Sequence, residues 1–315
     1  MTRWSLRPEV MVETDEEGGI TLVDPLFERA LTLTAAEVAV LDAGVPEALS
    51  RLDALHLRSS PETDPFRRAA WFARLRPWPA AAPQPGPDAH RVAGAAEAAA
   101  ALPWAPAWRD AGRWRHLIER GLASPGPLQL DGLFPISLVR AASVELGRAS
   151  LQRLHTAHVQ AQRVGVDEAT GGALGELRAA VGAPAMRDAC GLALGRTLSG
   201  ALHLNAWRFA PGDRMAIHPD GGRYAGTVVV GLNEGWRAAD GGAIAFGEPG
   251  PHGLVVRHRW LPEAGDVLLF APTATSWHAV EPASRPRLSL SGWWMQPAEP
   301  RGAEHEPFRP GGVRG

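Results

Sequence analysis

His218-Pro219-Asp220 and the distal His278 supply two imidazoles and one carboxylate, donor types that a transition metal takes from a protein. Two neutral nitrogens and one carboxylate on a single face leave positions open on the ion. That geometry suits non-haem Fe(II) binding a chelating co-substrate and O2, and it predicts an oxygenase. Downstream of His278 come Arg287 and Ser289. A guanidinium fork beside a hydroxyl suits a carboxylate, because parallel N–H donors match its two oxygens. A lone His-x-Asp arises often by chance, and many histidines are ordinary interior residues. Here the weight lies on the order: Gly241-Gly242, Gly265-Asp266, the distal histidine and the Arg-x-Ser follow one another along the chain. His203, His252 and His258 lack ligand spacing and read as bystanders.

Strands must position these groups. Residues i and i+2 of a strand share a face, so a strand through His218 and Asp220 aims both at one point. Asp266-Val267-Leu268-Leu269-Phe270 reads as an apolar strand ending at the Ala271-Pro272 turn, which leads to His278. Arg287-Leu288-Ser289-Leu290-Ser291 alternates, putting Arg287 and Ser289 on one face and the leucines on the other.

Several segments, in order, resemble the prolyl-hydroxylase-like branch of the Fe(II)/2-oxoglutarate-dependent dioxygenases. They are Asn205-Ala206-Trp207-Arg208-Phe209-Ala210-Pro211-Gly212-Asp213 with His218-Pro219-Asp220, Gly231-Leu232-Asn233-Glu234-Gly235-Trp236, Gly241-Gly242, Pro262-Glu263-Ala264-Gly265-Asp266, Trp277-His278-Ala279-Val280 and Arg287-Leu288-Ser289-Leu290-Ser291-Gly292-Trp293. The likeness extends weakly to Leu130-Asp131-Gly132-Leu133-Phe134-Pro135 and covers roughly residues 127–297. It implies a mainly β domain with flanking helices (α+β), a double-stranded β-helix or jelly roll that encloses the metal. It also implies Fe(II) on His218, Asp220 and His278, 2-oxoglutarate on Arg287 and Ser289, O2 as oxidant, and attack on an unactivated C–H bond. Asp220 stands where halogenating relatives carry a small residue, so hydroxylation or desaturation is expected; chlorinated product formed in chloride buffer would contradict this.

Two positions depart from the family pattern. Phe209 and Gly231 stand where tyrosines are frequent. Asn205 and Trp207 share the strand face of Phe209 and are the candidates to support the co-substrate in their place. Gly231 also reads as an opening of the pocket, which would suit a bulky substrate.

Composition bounds the rest. A chain of 315 residues with 45% apolar content accommodates one large and one small soluble domain. All 32 basic residues are arginine, which excludes a Schiff-base or P-loop lysine and, with abundant Ala, Gly and Pro, suggests a high-GC bacterial gene. The formal net charge of −2 argues against wholesale nucleic-acid binding. One cysteine, Cys190, allows no internal disulfide and reads as a buried structural thiol. No N-terminal apolar run reads as a signal peptide or membrane span, so a cytoplasmic enzyme is expected.

Residues 1–75 read as a small α+β module. Val10-Met11-Val12-Glu13 and Gly19-Ile20-Thr21-Leu22-Val23 flank a turn, Thr34-Ala35-Ala36-Glu37 has capping-box spacing, and a second helix starts near Val45. That order resembles the winged-helix modules that bind precursor leader peptides in ribosomally made peptide pathways; the alternative is a structural cap. Pro77 to Pro87 reads as a linker within a connector spanning 76–126, whose Trp104, Trp108 and Trp114 are expected in a core. The stretch from Leu138 to Leu198 reads as helices supporting the sheet, and 298–315 as a flexible tail. The substrate is then a peptide or protein residue, or alternatively a free amino acid or small natural-product intermediate. A non-enzymatic binding role on the same barrel is the third reading, against which the intact triad argues.

Overall fold

The computed structural model describes residues 4, 6, 10–24, 29–54, 57–58, 87–155, 159–222, 224–250 and 253–296. Most of the proline-rich linker, the tail and His252 fall outside the described residues.

In the N-terminal part, β1 (Met11–Thr14), β2 (Ile20–Asp24) and β3 (Arg29–Leu33) form an antiparallel sheet in the order β1-β2-β3. Helices α1 (Ala35–Asp42) and α2 (Pro46–Ala54) follow. The expected capping box is present: the Glu37 N–H donates to Thr34 Oγ1 at 3.3 Å, and the Thr34 N–H donates to the Glu37 carboxylate at 2.8 Å. The hairpin is also present, but β3 was not anticipated. Its Leu31 and Leu33 pair with Leu22 and Ile20, and Leu22, Leu33, Leu41 and Leu52 help to close a core belonging to this part alone.

The remainder begins with α3 (Ala89–Ala100), α4 (Ala111–Ala123), β4 (Leu128–Leu130) and α5 (Ile136–Arg148). A hairpin follows, β5 (Gln152–His155) and β6 (Gln160–Val166), then α6 (Gly172–Gly182) and α7 (Pro184–Ala193). The remaining strands are β7 (Leu202–Phe209), β8 (Met215–His218), β9 (Tyr224–Gly231), β10 (Ile244–Gly250), β11 (Gly253–Trp260), β12 (Val267–Phe270), β13 (His278–Val280) and β14 (Arg287–Met295).

These strands make two antiparallel sheets, seven-stranded β4-β12-β9-β14-β7-β6-β5 and four-stranded β11-β10-β13-β8. Central strands of the larger sheet are buried on both faces. Val228, Val230, Val267, Leu269, Leu290 and Trp294 face a helical layer that includes Trp114, Ile118, Leu146 and Leu177. Each such aliphatic side chain contributes roughly 1.5–3 kcal/mol by leaving water. Trp207, Phe209, Val229 and Leu268 turn the other way and meet Ile244, Phe246, Trp260 and Val280 from the smaller sheet. This mixed fold with large antiparallel sheets is consistent with a jelly roll.

One expectation for the middle of the chain needs correction. The segment from Leu138 to Leu198 is not all helical, since β5 and β6 interrupt it; Leu154 and Ala161 alternate with long polar residues and bury one face of the hairpin. Trp104, Trp108 and Trp114 do enter the core, and their indoles donate to carbonyls of Ala99, Asp131 and Trp108. Cys190 is buried beside Met186 Sδ at 3.6 Å, and burial pushes its thiol pKa up, as suits a structural residue.

Candidate active site

The turn after β7 sets the approach of the first histidine. Asp213 accepts from both terminal nitrogens of Arg153, at 2.6 and 2.8 Å, and from the Ala210 N–H at 2.8 Å, which ties the turn to the β5–β6 hairpin. β8 then runs to His218 and stops there. Asp220 therefore lies beyond the strand, which corrects the expectation that it shares a strand face with His218; Pro219 lacks the N–H needed to continue the ladder.

The three groups still converge. His278 opens β13 as the register partner of His218, and the two rings lie 4.3 Å apart. Asp220 Oδ1 sits 3.7 Å from His218 Nε2 and 4.0 Å from His278 Nε2, and the three potential ligand atoms all lie within 4.8 Å of one another. His218 Nδ1 is 2.7 Å from the Ala216 carbonyl, and His278 Nδ1 is 2.8 Å from that of Ser276. A carbonyl can only accept, so each Nδ1 carries the proton and each Nε2 the lone pair. Thr227 Oγ1 donates to Asp220 Oδ2 at 2.6 Å, which leaves Oδ1 facing the imidazoles. The His278 ring packs against Phe246 and Phe270, with centroids at 5.3 and 5.0 Å. Burial, reinforced by His278, pushes the His218 pKa down to about 4, so the ring is a neutral donor at physiological pH. The donor set and spacing are those a divalent metal could occupy.

Thr227 pairs with Trp293 on β14, while Gly231, at the end of the same strand, pairs with Ser289. The row from the carboxylate end to the arginine end is thus on the order of 13 Å long. Arg287 and Ser289 point inward, at 1% and 2% exposure, and the flanking leucines pack toward the helices as the alternation predicted. Arg287 Nε donates to the Gly242 carbonyl at 2.8 Å and Nη1 to Ser289 Oγ at 2.9 Å, with Cζ 5.1 Å from the Phe209 ring. Gly242 has φ +67°, and a Cβ there would lie 3.1 Å from Arg287 Cδ, so glycine permits the approach. Arg287 Nη2 is buried with no hydrogen-bond partner. A buried cation with one unsatisfied edge fits a carboxylate ligand.

Trp207 is the register partner of Ser289, and Asn205 that of Ser291, one step toward the carboxylate end. Asn205 also lines a separate surface cavity of about 620 Å³ with Asp167, Arg178 and His203. His203 and His258 lie apart from the triad; His258, on β11, is the register partner of Phe246 on β10. Gly231 does not open the pocket. A Cβ on it would lie 2.1 Å from the Glu263 carbonyl oxygen and 2.6 Å from the Pro262 carbonyl carbon, so backbone fills that space. Asn233 clamps this loop by donating to the Pro262 and Leu288 carbonyls at 2.8 and 2.7 Å. Thr227 escaped sequence reasoning, although a lone hydroxyl in the Thr-Val-Val-Val run of a buried strand was a readable signal.

Comparison with known families now decides the class: residues 202–295 match the 2OG-Fe(II) oxygenase superfamily. This stretch is a 2OG-Fe(II) oxygenase domain. It contains all seven residues singled out from the sequence, and the enzyme class follows: a dioxygenase using Fe(II), 2-oxoglutarate and O2. No curated protein matches the chain. Among solved structures, a prolyl-4-hydroxylase from Pseudomonas putida is 27% identical, with 58% of this chain and 99% of that one covered and a TM-score of 0.49. A Trichoplax adhaerens prolyl hydroxylase, solved with a hypoxia-inducible-factor peptide fragment, is 16% identical over 61% of this chain and 94% of that one, with a TM-score of 0.48. The α-ketoglutarate-dependent epimerase of nogalamycin biosynthesis is 18% identical, covering 59% and 84%, with a TM-score of 0.44. No helix among the described residues is long and apolar enough to cross a membrane.

Proposed function

We propose that this dioxygenase hydroxylates an unactivated C–H bond of a peptide or protein residue, in a bacterial peptide-modification pathway. His218, Asp220 and His278 would hold Fe(II), and Arg287 with Ser289 would take the distal carboxylate of 2-oxoglutarate. When bound, the pair supplies O2 activation coupled to conversion of 2-oxoglutarate to succinate and CO2. The chain's own contribution is to orient and shield. Carbonyls of Ala216 and Ser276 fix the imidazole tautomers, Thr227 fixes the carboxylate, and Val229, Leu268, Phe246 and Phe270 keep the compartment dry. The observation that carries the co-substrate assignment is the buried, unsatisfied Nη2 of Arg287. Trp207 and Asn205, on the same inward row, are assigned to the co-substrate and to the space beside it.

The peptide reading rests on the N-terminal part. Residues up to about 75 would recruit a precursor leader, adding its backbone to an edge of the sheet, where β1 and β3 are the outer strands among the described residues. The 76–126 segment would connect this module to the oxygenase. The filled space at Gly231 removes the sequence argument for an enlarged pocket suited to a bulky substrate.

The test compares the full chain with one beginning at Ala89, on a leader-bearing precursor peptide and on the same peptide without its leader. Peptide affinity should fall by on the order of tenfold or more on truncation, since a remote contact is lost. Succinate formation without peptide should persist, because the iron site lies wholly in the retained part. Equal peptide affinity in the two chains would remove the recruitment role, and an insoluble truncation would favour the structural cap.

A further inference from the structure

The indoles of Trp104, Trp108 and Trp114 all donate to backbone carbonyls, at 2.7 to 2.8 Å. Trp260 differs: its side chain is 0% exposed and its Nε1 has no partner. A buried donor left unpaired is costly, and where it faces the compartment between the sheets a ligand acceptor can satisfy it.

Two paths through the chain place Trp260 at the arginine end of the compartment. It pairs with Ile244, and two residues before Ile244 lies Gly242, whose carbonyl accepts from Arg287 Nε. Two residues after Trp260 lies Pro262, whose backbone fills the space over Gly231, itself the register partner of Ser289. Trp207, also a partner of Ser289, is 4% exposed and has an unpartnered Nε1 as well. The compartment between the sheets therefore carries buried donors at Arg287 Nη2, Trp207 Nε1 and Trp260 Nε1. The neighbouring Val229, Ile244, Leu268 and Phe270 supply no side-chain acceptor. An anionic, acceptor-rich guest satisfies such a lining: its charge meets the guanidinium and its oxygens accept from the indoles.

We infer that Trp260, together with Trp207, donates its indole N–H to the buried dicarboxylate co-substrate. Neither Phe209 nor Gly231 can supply a hydroxyl, and the Pro262 backbone prevents a side chain at 231, so the neutral donors come from β11 and β7 instead. The inference rests on the 2-oxoglutarate reading of Arg287 and deepens it.

The full chain, loaded with redox-inert Zn(II), is titrated calorimetrically with 2-oxoglutarate and with 2-oxobutyrate, an oxo acid that lacks the distal carboxylate. Trp260→Phe keeps an aromatic ring and removes the N–H. It should weaken 2-oxoglutarate by roughly tenfold and change 2-oxobutyrate by less than about twofold. Trp207→Phe should also weaken 2-oxoglutarate. Trp294→Phe removes an unpartnered indole on the helix side and should change neither ligand. In the parent labelled with 15N-tryptophan, 2-oxoglutarate should shift indole N–H resonances downfield, a readout that needs no variant to fold. Unchanged 2-oxoglutarate affinity in Trp260→Phe, equal weakening of both ligands, or an indole spectrum indifferent to 2-oxoglutarate would each overturn the inference. A parent that binds neither ligand would instead sink the co-substrate reading, and this inference with it.

Discussion

His278→Ala is expected to abolish turnover, with 2-oxoglutarate decarboxylation falling by more than about 10³-fold, since loss of an outer-shell partner alone typically costs about 10–100-fold. The variant keeps only His218 and Asp220 of the three donors that could hold the metal. The His278 ring also packs against Phe246 and Phe270, so alanine leaves a cavity between the two sheets. His278→Gln, which fills more of that space but offers a poor metal donor, separates the two effects. Both variants should lose iron and turnover, while only the alanine variant should lose several degrees of Tm. Metal content and succinate release are the measurements. Full decarboxylation by His278→Ala would sink the assignment of the ligands.

The alternation in β14 exposed its architecture because every second residue there meets a different environment. Leu288 and Leu290 meet helices, whereas Arg287 and Ser289 meet the compartment, and period two survives in the sequence. The triad was readable for a chemical reason, since few functions need two imidazoles and a carboxylate at such spacing. The capping box at Thr34 was readable because its partners are adjacent in the chain. The β5–β6 hairpin was not, because Gln152, Arg153, Gln162 and Arg163 alternate with only a few apolar residues and their spacing also suits a helix. Nor was the filling of the space over Gly231, which comes from a loop distant in sequence and pinned there by Asn233. Hydrogen bonds such as Thr227 to Asp220, and Arg287 to Gly242, likewise join segments that no local pattern links.

Arg287→Leu should nearly eliminate 2-oxoglutarate binding and at the same time leave the unliganded protein as stable as the parent or more so. Burial pulls the Arg287 pKa down to about 9, so the side chain remains charged at pH 7 in an environment that disfavours the charge. The sign follows from linkage. The folded-state pKa lies below the unfolded one, so the unfolded chain binds more protons between the two values and stability rises with pH only there. At neutral pH the whole penalty is present, offset in part by Gly242 and Ser289 but left open at Nη2. An apolar replacement of similar volume removes that penalty, as replacing whole buried ion pairs by apolar residues has elsewhere been neutral or stabilising. Binding shows the opposite. Loss of a fully desolvated charge pair should weaken 2-oxoglutarate by roughly 10²-fold or more, and the co-substrate should raise the Tm of the parent but not of Arg287→Leu. Arg287→Lys should recover little, because an ammonium cannot serve Gly242, Ser289 and a carboxylate from one planar fork. Arg285 is the nearest alternative cation in sequence, yet it is 40% exposed, paired with Asp240 at 3.2 Å and stacked over Trp236 at 4.3 Å. Unchanged 2-oxoglutarate affinity in both Arg287 variants would redirect the assignment to Arg285; lost affinity together with retained or raised Tm would mark Arg287 as a group held in readiness for an anion rather than for the fold.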